Sequence, residues 1–104
     1  MDPMTAPLGE VLDWLAERDG WEVRGGLCYG PGGQFCLSNP ITLDRIAGML
    51  PEPWEWSDIN QRDGTWWASA WRSHSYKDEQ GEAPTELEAR ARVVAAVLGR
   101  QDQP

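Results

Sequence analysis

The sequence predicts an α+β fold: an antiparallel sheet of about four to five strands, built from two hairpins and packed with two to three helices. Three segments, near residues 8–15, 43–50 and 87–98, carry apolar side chains at helical spacing. Two pairs of short strand-like runs flank glycine-containing turns, at residues 30–33 and 61–64. The length of 104 residues is typical of one domain, so we expect all these elements to share one core.

The first helix is predicted to follow Thr5 as its N-terminal cap, with Pro7 in its first turn. Its apolar stripe, which Trp14 flanks, consists of Leu8, Val11, Leu12 and Leu15. Asp19-Gly20 is expected to end the helix, because glycine is a common C-terminal stop. Residues 21–24 then alternate between apolar and polar side chains, which predicts a short half-buried strand.

The first hairpin is predicted where the runs 27–29 and 35–37 flank a glycine-rich turn. A three-residue loop would place Cys28 directly opposite Cys36. In an intracellular protein these cysteines are expected to be small buried thiols, although the geometry would also permit a disulfide. We predict no metal site, because zinc needs about four ligands and the chain has one histidine. We also predict no cofactor, because the glycines lack the P-loop pattern.

A second helix is predicted over residues 41–50, where the apolar positions are Leu43, Ile46, Ala47 and Leu50. Ser38, Asn39 and Thr42 are rival N-terminal caps for it. Pro51 and Pro53 are expected to stop it, because proline does not continue a helix.

The second hairpin is rich in tryptophan and is predicted from Trp54–Asn60 and Thr65–Arg72, joined by an Asp-Gly turn. Strict alternation along both strands assigns every side chain to one of two faces. The first face would hold Trp54, Trp56, Trp67 and Trp71 with Asp58, Asn60 and Ser69. The second would hold Ile59, Trp66, Ala68 and Ala70 with Glu55, Ser57 and Arg72. Neither set is purely polar, so both faces are expected to be partly covered.

Residues 73–83 are polar and predict an exposed loop, after which the last helix begins. Thr85 and Glu88 match the capping-box pattern, and Gly99 is expected to close the helix. Its apolar positions are Leu87, Ala91, Val94, Ala95, Val97 and Leu98, and its predicted ion pairs are Glu86–Arg90 and Glu88–Arg92. Residues 101–104 are expected to fray.

The C-terminal half contains the motif DGTWWASAW, a polar loop, and then EAPTELEARARVVAAVL. In this order it resembles the end of a family of small phage and prophage proteins. Family members end in a strand with paired aromatic residues, an Ala-Pro-Thr-type helix entry and an alanine-rich helix, described as a phage α–β–α sandwich domain. The resemblance implies a mobile-element origin and a location in the host cytoplasm. It brings no catalytic residues with it.

The chain is strongly acidic, with 17 Asp and Glu residues against 9 Lys and Arg and a formal charge of −8. This balance argues against direct binding of nucleic acid, which needs clustered basic residues. No apolar run reaches the roughly 20 residues that a membrane helix needs, and the N-terminus lacks the pattern of a signal peptide. We therefore expect a single domain over residues 1–104, without a membrane partner, in the cytoplasm.

The favoured functional hypothesis is a non-enzymatic, acidic, tryptophan-rich phage protein that inhibits a host defence protein, of the anti-CRISPR type. Its carboxylates would occupy a basic surface on the host protein that normally holds nucleic acid, and its indole rings would anchor the contact. The predicted partner-binding residues are Trp54, Trp56 and Trp71 together with Asp78, Glu79, Glu82, Glu86 and Glu88.

Three other hypotheses remain open. A self-associating accessory or structural phage protein, for instance a homodimer, could use the tryptophan face. A carbohydrate- or base-stacking module would use the same rings, although base stacking usually comes with a positive groove. An enzyme using His74 with Ser73, Ser75 and Asp78 is disfavoured, because neighbouring residues of one loop do not hold a nucleophile, a base and an orienting group in place.

Overall fold

The computed structural model describes residues 2–25, 27–72 and 78–101, which form three helices and six strands. In chain order these are α1 Leu8–Arg18, β1 Glu22–Arg24, β2 Leu27–Tyr29, β3 Phe35–Cys36, α2 Leu43–Gly48, β4 Trp54–Arg62, β5 Thr65–Arg72, β6 Asp78–Ala83 and α3 Glu86–Gln101. The strands form two antiparallel three-stranded sheets, ordered β1-β2-β3 and β4-β5-β6. The α+β class is confirmed, with more strands than the four to five expected and two sheets in place of one.

The first sheet is small, with strands of three, three and two residues. Cys28 lies opposite Cys36, as the three-residue loop predicts, and both are free thiols. Burial raises the pKa of the Cys28 thiol, and the nearby charges of Asp13 and Cys36 raise it further. Cys28 is therefore an inert, protonated thiol at neutral pH.

The second sheet begins with the predicted tryptophan hairpin. Arg62 pairs with Thr65 across a two-residue turn, in which Asp63 has a φ of 53° and Gly64 a φ of 77°. Two successive positive φ values are what a type I′ turn requires, and Asp-Gly adopts them readily. The prediction from the Asp-Gly pair is confirmed.

The third strand of this sheet corrects the prediction of an exposed loop over residues 73–83. Residues 78–83 form β6 and pair with β5 along its length, while residues 73–77 lie outside the described residues. Gly81 faces α3 so closely that an added Cβ would stand 2.8 Å from the Ala89 carbonyl oxygen and 3.0 Å from the Arg92 Cβ. The segment forms a strand by pairing with β5, and its two small residues, Gly81 and Ala83, let α3 pack closely on the backbone.

The faces of the tryptophan hairpin also differ from the prediction, because β4 contains a bulge at Ser57. Trp56 pairs with Ala70, and Asp58 pairs with Ser69. Ser57 is therefore an extra residue of β4 with no partner of its own on β5. Before the bulge, Trp54 and Trp56 therefore share the face of Ala70, not that of Trp67 and Trp71. The prediction that all four tryptophans share one face is wrong.

Helix α3 lies at the centre of the molecule and contributes to two buried clusters. On one side, Val94, Ala95 and Leu98 pack with Val11 and Leu15 of α1 and Ile46 of α2. On the other side, Ala89 and Val93 pack with Ala68, Ala70 and Ala83 of the second sheet. The predicted helical stripes thus form the core, and α3 joins the helical layer to the sheet.

The helix ends follow the predictions in part. The Thr85 hydroxyl accepts from the Glu88 backbone N–H at 3.2 Å, which confirms Thr85 as the N-terminal cap of α3. The Glu88 carboxylate returns to the Thr85 hydroxyl at 2.7 Å, in place of the Thr85 backbone N–H of a full capping box. Thr42, one of the three rival caps, accepts from the Arg45 N–H at 3.2 Å. Thr5 caps nothing, since α1 begins after Pro7 without a side-chain cap. Gly99 does not end α3, which continues to Gln101.

Candidate functional site

The second sheet has two faces of opposite character. Its inner face packs on α3 through Ala68, Ala70 and Ala83, which are at most 6% exposed. Its other face, here called the outer face, points away from α3. Because paired residues on antiparallel strands share a face, the register defines this set. It consists of Glu55, Asp58, Asn60, Arg62, Thr65, Trp67, Ser69, Trp71, Asp78, Gln80 and Glu82.

The most exposed tryptophans of the described residues lie on the outer face. Trp67 is 40% exposed and Trp71 is 49% exposed, whereas Trp14, Trp21 and Trp66 are half-buried against the core. Trp71 was among the predicted partner-binding residues, and Trp67 was not. Their spacing of four residues along one strand was the available signal, because it places both rings on the same face whatever the register.

The other two tryptophans predicted to bind a partner, Trp54 and Trp56, lie on the inner face and are half-buried. The indole N–H of Trp56 donates to the Ala47 carbonyl oxygen at 3.0 Å. The guanidinium of Arg90 stacks over the same indole, 4.8 Å from the ring centroid. Both contacts lie within the protein, so Trp56 ties α2 and α3 to the sheet.

Each outward side chain in the middle of β5 is flanked by one side chain from β4 and one from β6. The three rows across the sheet are Glu55–Trp71–Asp78, Asp58–Ser69–Gln80 and Asn60–Trp67–Glu82. Both exposed rings are therefore bordered by carboxylates. Directly opposed residues on neighbouring strands have Cβ atoms only about 5 Å apart, so a group stacked on either ring would reach a carboxylate as well.

An open groove of about 340 Å³ lies on the part of the outer face that includes Trp67 but not Trp71. It is lined by Asp58, Asn60, Arg62, Trp67, Ser69 and Gln80. Two amide side chains orient carboxylates on the outer face. Asn60 donates to Asp58 at 2.8 Å, and Gln80 donates to Asp78 at 3.4 Å. The outer face carries four acids against the single guanidinium of Arg62. It is thus an exposed aromatic surface with a negative charge.

The predicted acidic cluster is divided between the two sides of the sheet. Asp78 and Glu82 are exposed on the outer face, as described above. Glu79 points to the helix side, where its carboxylate forms an ion pair with Arg100. Glu86 pairs with Arg90 at 3.0 Å, and Glu88 accepts from the Thr85 hydroxyl. Glu79, Glu86 and Glu88 thus have their partners in α3 or at its N-terminal cap. The five carboxylates do not form one cluster.

The outer face also contains two carboxylates that the sequence analysis did not select. Glu55 was assigned to the same face as Trp66, and Asp58 was placed correctly beside Trp67 but not proposed as a binding residue. The bulge at Ser57 moves Glu55 to the outer face, opposite Trp71. Strict alternation cannot reveal such a shift, because a bulge leaves no fixed sequence signal.

The other candidate sites have fewer exposed or converging functional side chains than the outer face. A cleft of about 340 Å³ between the N-terminal segment and α3 includes Trp14, but its charged side chains are Asp2 and the paired Glu79 and Arg100. In residues 2–25, 27–72 and 78–101, no three His, Cys, Asp or Glu side chains converge as metal ligands. No helix in the same residues is long and apolar enough to cross a membrane. The proposed Ser/His/Asp site depends on residues 73–75, which lie outside the described residues.

Comparison of the chain with protein-family models, curated proteins and solved structures found no match. The functional argument therefore starts from the outer face itself.

Proposed function

We propose that the chain is a non-enzymatic binding protein that uses the outer face to occupy a basic, nucleic-acid-binding surface on another protein. The observation that supports this proposal is the pair of exposed indole rings, Trp67 and Trp71, each bordered by carboxylates. Exposed aromatic side chains are common anchors of protein interfaces, and surrounding charges select the partner and speed its approach.

We further propose that the protein acts in a host cytoplasm as an inhibitor of a defence protein, of the anti-CRISPR type. A chain of charge −8 with a negative aromatic face can mimic the charge of a nucleic acid and compete with it for arginine and lysine. The phage or mobile-element origin rests on the resemblance of the C-terminal half.

The test is affinity capture from a bacterial lysate at low and high salt, with the bound proteins identified by mass spectrometry. We expect the wild type to retain a basic nucleic-acid-binding protein at low salt and to release it at high salt, because exposed charges are screened beyond about 10 Å at 0.1 M salt. The double variant Trp67→Ala/Trp71→Ala should lose this protein.

The matched control is Phe35→Ala, which removes an aromatic side chain that is 61% exposed on the first sheet. It should retain the partner as the wild type does. Capture that is indifferent both to salt and to the two tryptophans would contradict the proposal.

Self-association through the outer face is the second candidate, favoured by the exposed area of the two indole rings. Stacking two copies face to face would, however, bring the four acids of one copy against the four acids of the other. We therefore expect a monomer in sedimentation equilibrium at low salt. A dimer that Trp67→Ala/Trp71→Ala abolishes would favour this second candidate instead.

A further inference from the structure

We propose that the outer face recognises an extended peptide segment with two arginines four residues apart, aligned along β5. This inference rests on the proposed function and specifies the chemistry of the partner. It is drawn from three features of the described residues: an arginine–indole–carboxylate contact inside the protein, the repetition of its indole and carboxylate parts on the outer face, and the spacing of the two exposed rings.

The internal contact shows which group complements an indole beside a carboxylate. Arg90 stacks over Trp56 at 4.8 Å while its Nε donates to the Glu86 carboxylate at 3.0 Å. A planar guanidinium can do both at once, because its face meets the ring and its edge carries the N–H groups. An ammonium group has no such flat face, so arginine suits this arrangement better than lysine.

The outer face presents the other two parts of this contact twice. Trp71 lies between Glu55 and Asp78, and Trp67 lies beside Glu82. Both rings are exposed, and each is open to a guanidinium that would lie on the ring and donate to the adjacent carboxylate. The face therefore has two arginine subsites, and the partner supplies the two arginines.

The spacing of the subsites selects the conformation of the partner. Trp67 and Trp71 are four residues apart on one strand, which separates them by about 13 Å at roughly 3.3 Å per residue. Side chains at positions i and i+4 of an extended peptide have the same separation and point to the same side. On a helix, residue i+7 lies in line with i but only about 10.5 Å away, and residue i+8 at about 12 Å lies roughly 80° further around the axis, so neither meets both rings as well.

The row between the two rings accommodates the middle of such a segment. Ser69 is the smallest side chain of this row, and it lines the groove together with Asp58 and Gln80 on its two sides and Trp67 in the next row. The side chain at position i+2 would enter there. A hydrogen-bond donor of modest size, such as serine or threonine, would satisfy the Asp58 carboxylate.

The experiment is fluorescence anisotropy with labelled seven-residue peptides at low salt. The first peptide has two arginines four positions apart in a serine/threonine background. The second has the same composition with the arginines three positions apart, so that they point to opposite sides of an extended chain. A third replaces both arginines with lysine, and a fourth keeps one arginine.

We expect the first peptide to bind at least about tenfold more tightly than the other three, because each of them loses at least one stacked guanidinium, worth roughly a factor of ten. Trp67→Ala or Trp71→Ala alone should reduce its affinity to that of the single-arginine peptide. Phe35→Ala should leave its affinity unchanged. If either tryptophan variant unfolds in circular dichroism, Glu55→Gln/Glu82→Gln keeps both rings and should lower the affinity, with the exposed α1 pair Glu10→Gln/Glu17→Gln as its control.

Equal affinity for both spacings would overturn the extended register while leaving the proposed function in place. The same holds if no arginine peptide binds but the lysate partner is still retained through Trp67 and Trp71. Binding of neutral oligosaccharides on the same two rings, without binding of the peptides, would overturn the inference and the proposed function together.

Discussion

The inner and outer faces of the second sheet are made from the same three strands, yet they have opposite compositions. The inner face carries alanine, glycine and half-buried aromatic rings that α3 covers. The outer face carries exposed rings and carboxylates. The neighbours Trp66 and Trp67 show the difference within one dipeptide, because the first packs on the core and the second is 40% exposed. Tryptophan content alone therefore does not reveal function; the face that each ring occupies does.

The small inner residues also explain why the outer face is free to carry function. Gly81 and the alanines allow α3 to lie close to the sheet, so stability comes from this side. The outer rings contribute little to the core, so their exposure needs another explanation. An exposed pair of aromatic rings commonly marks an interaction site.

The largest change in stability is expected when the close contact between the inner face and α3 is disturbed. Gly81→Val should lower the free energy of unfolding by about 3 kcal/mol, because its side chain would collide with the Ala89 backbone oxygen. Urea denaturation measures the change. Gly99→Ala is the matched control: it lies in α3 with open space around the new Cβ and should stabilise by up to about 1 kcal/mol. Equal effects of the two variants would refute the close contact.

A smaller effect should separate a tryptophan of the inner face from one of the outer face. Trp56→Phe removes the N–H that donates to the Ala47 oxygen and should cost about 1–2 kcal/mol of unfolding free energy. Trp71→Phe, at a ring that is 49% exposed, should change stability by less than about 0.5 kcal/mol. Thermal and urea unfolding of both variants provide the comparison. A larger loss for Trp71→Phe would mean that the faces are assigned the wrong way round.

The carboxylates of β6 allow a similar test with smaller changes. Glu79→Gln breaks the ion pair with Arg100 and should destabilise by roughly 0.5–1 kcal/mol, since the partly exposed Arg100 is screened by solvent. Glu82→Gln removes an exposed outer-face charge from a chain of charge −8 and should be neutral or slightly stabilising. In binding assays the order should reverse, with Glu82→Gln the more damaging. The same order in both assays would contradict the division of the acids.

The smallest expected effect concerns the first sheet, which has its own buried residue in Cys28. Burial raises the pKa of this thiol in the folded protein, so the unfolded thiol loses its proton first as the pH rises. The stabilisation that the buried, protonated thiol provides is therefore fully present below the pKa of the unfolded thiol, near 8.5. It is lost as the pH rises from there through the pKa of the thiol in the folded protein. Unfolding curves between pH 7 and pH 10 should show this loss in the wild type and in Cys36→Ala. Cys28→Ala should lose less unfolding free energy over this pH range, because it has no thiol at position 28. If its stability depended on pH as that of the wild type does, the burial of Cys28 would be contradicted.

Local sequence determined much of this fold, because the responsible interactions span only a few residues. The N-terminal cap at Thr85, the Asp63-Gly64 turn and the apolar stripe of α3 all form as their spacing predicts. Each depends on backbone geometry that nearby side chains determine. The chemical class of the candidate site, aromatic rings with carboxylates, also follows from composition and from the position of Trp71.

Only the tertiary structure decided which rings and which acids belong together. The bulge at Ser57 reverses the alternation of β4, and so it places Trp54 and Trp56 against the helices and Glu55 beside Trp71. Pairing with β5, under the close cover of α3, makes a strand of a polar segment with low strand propensity, and this strand brings Asp78 and Glu82 to the outer face. Both outcomes arise from contacts between residues distant in the chain, which no local pattern records.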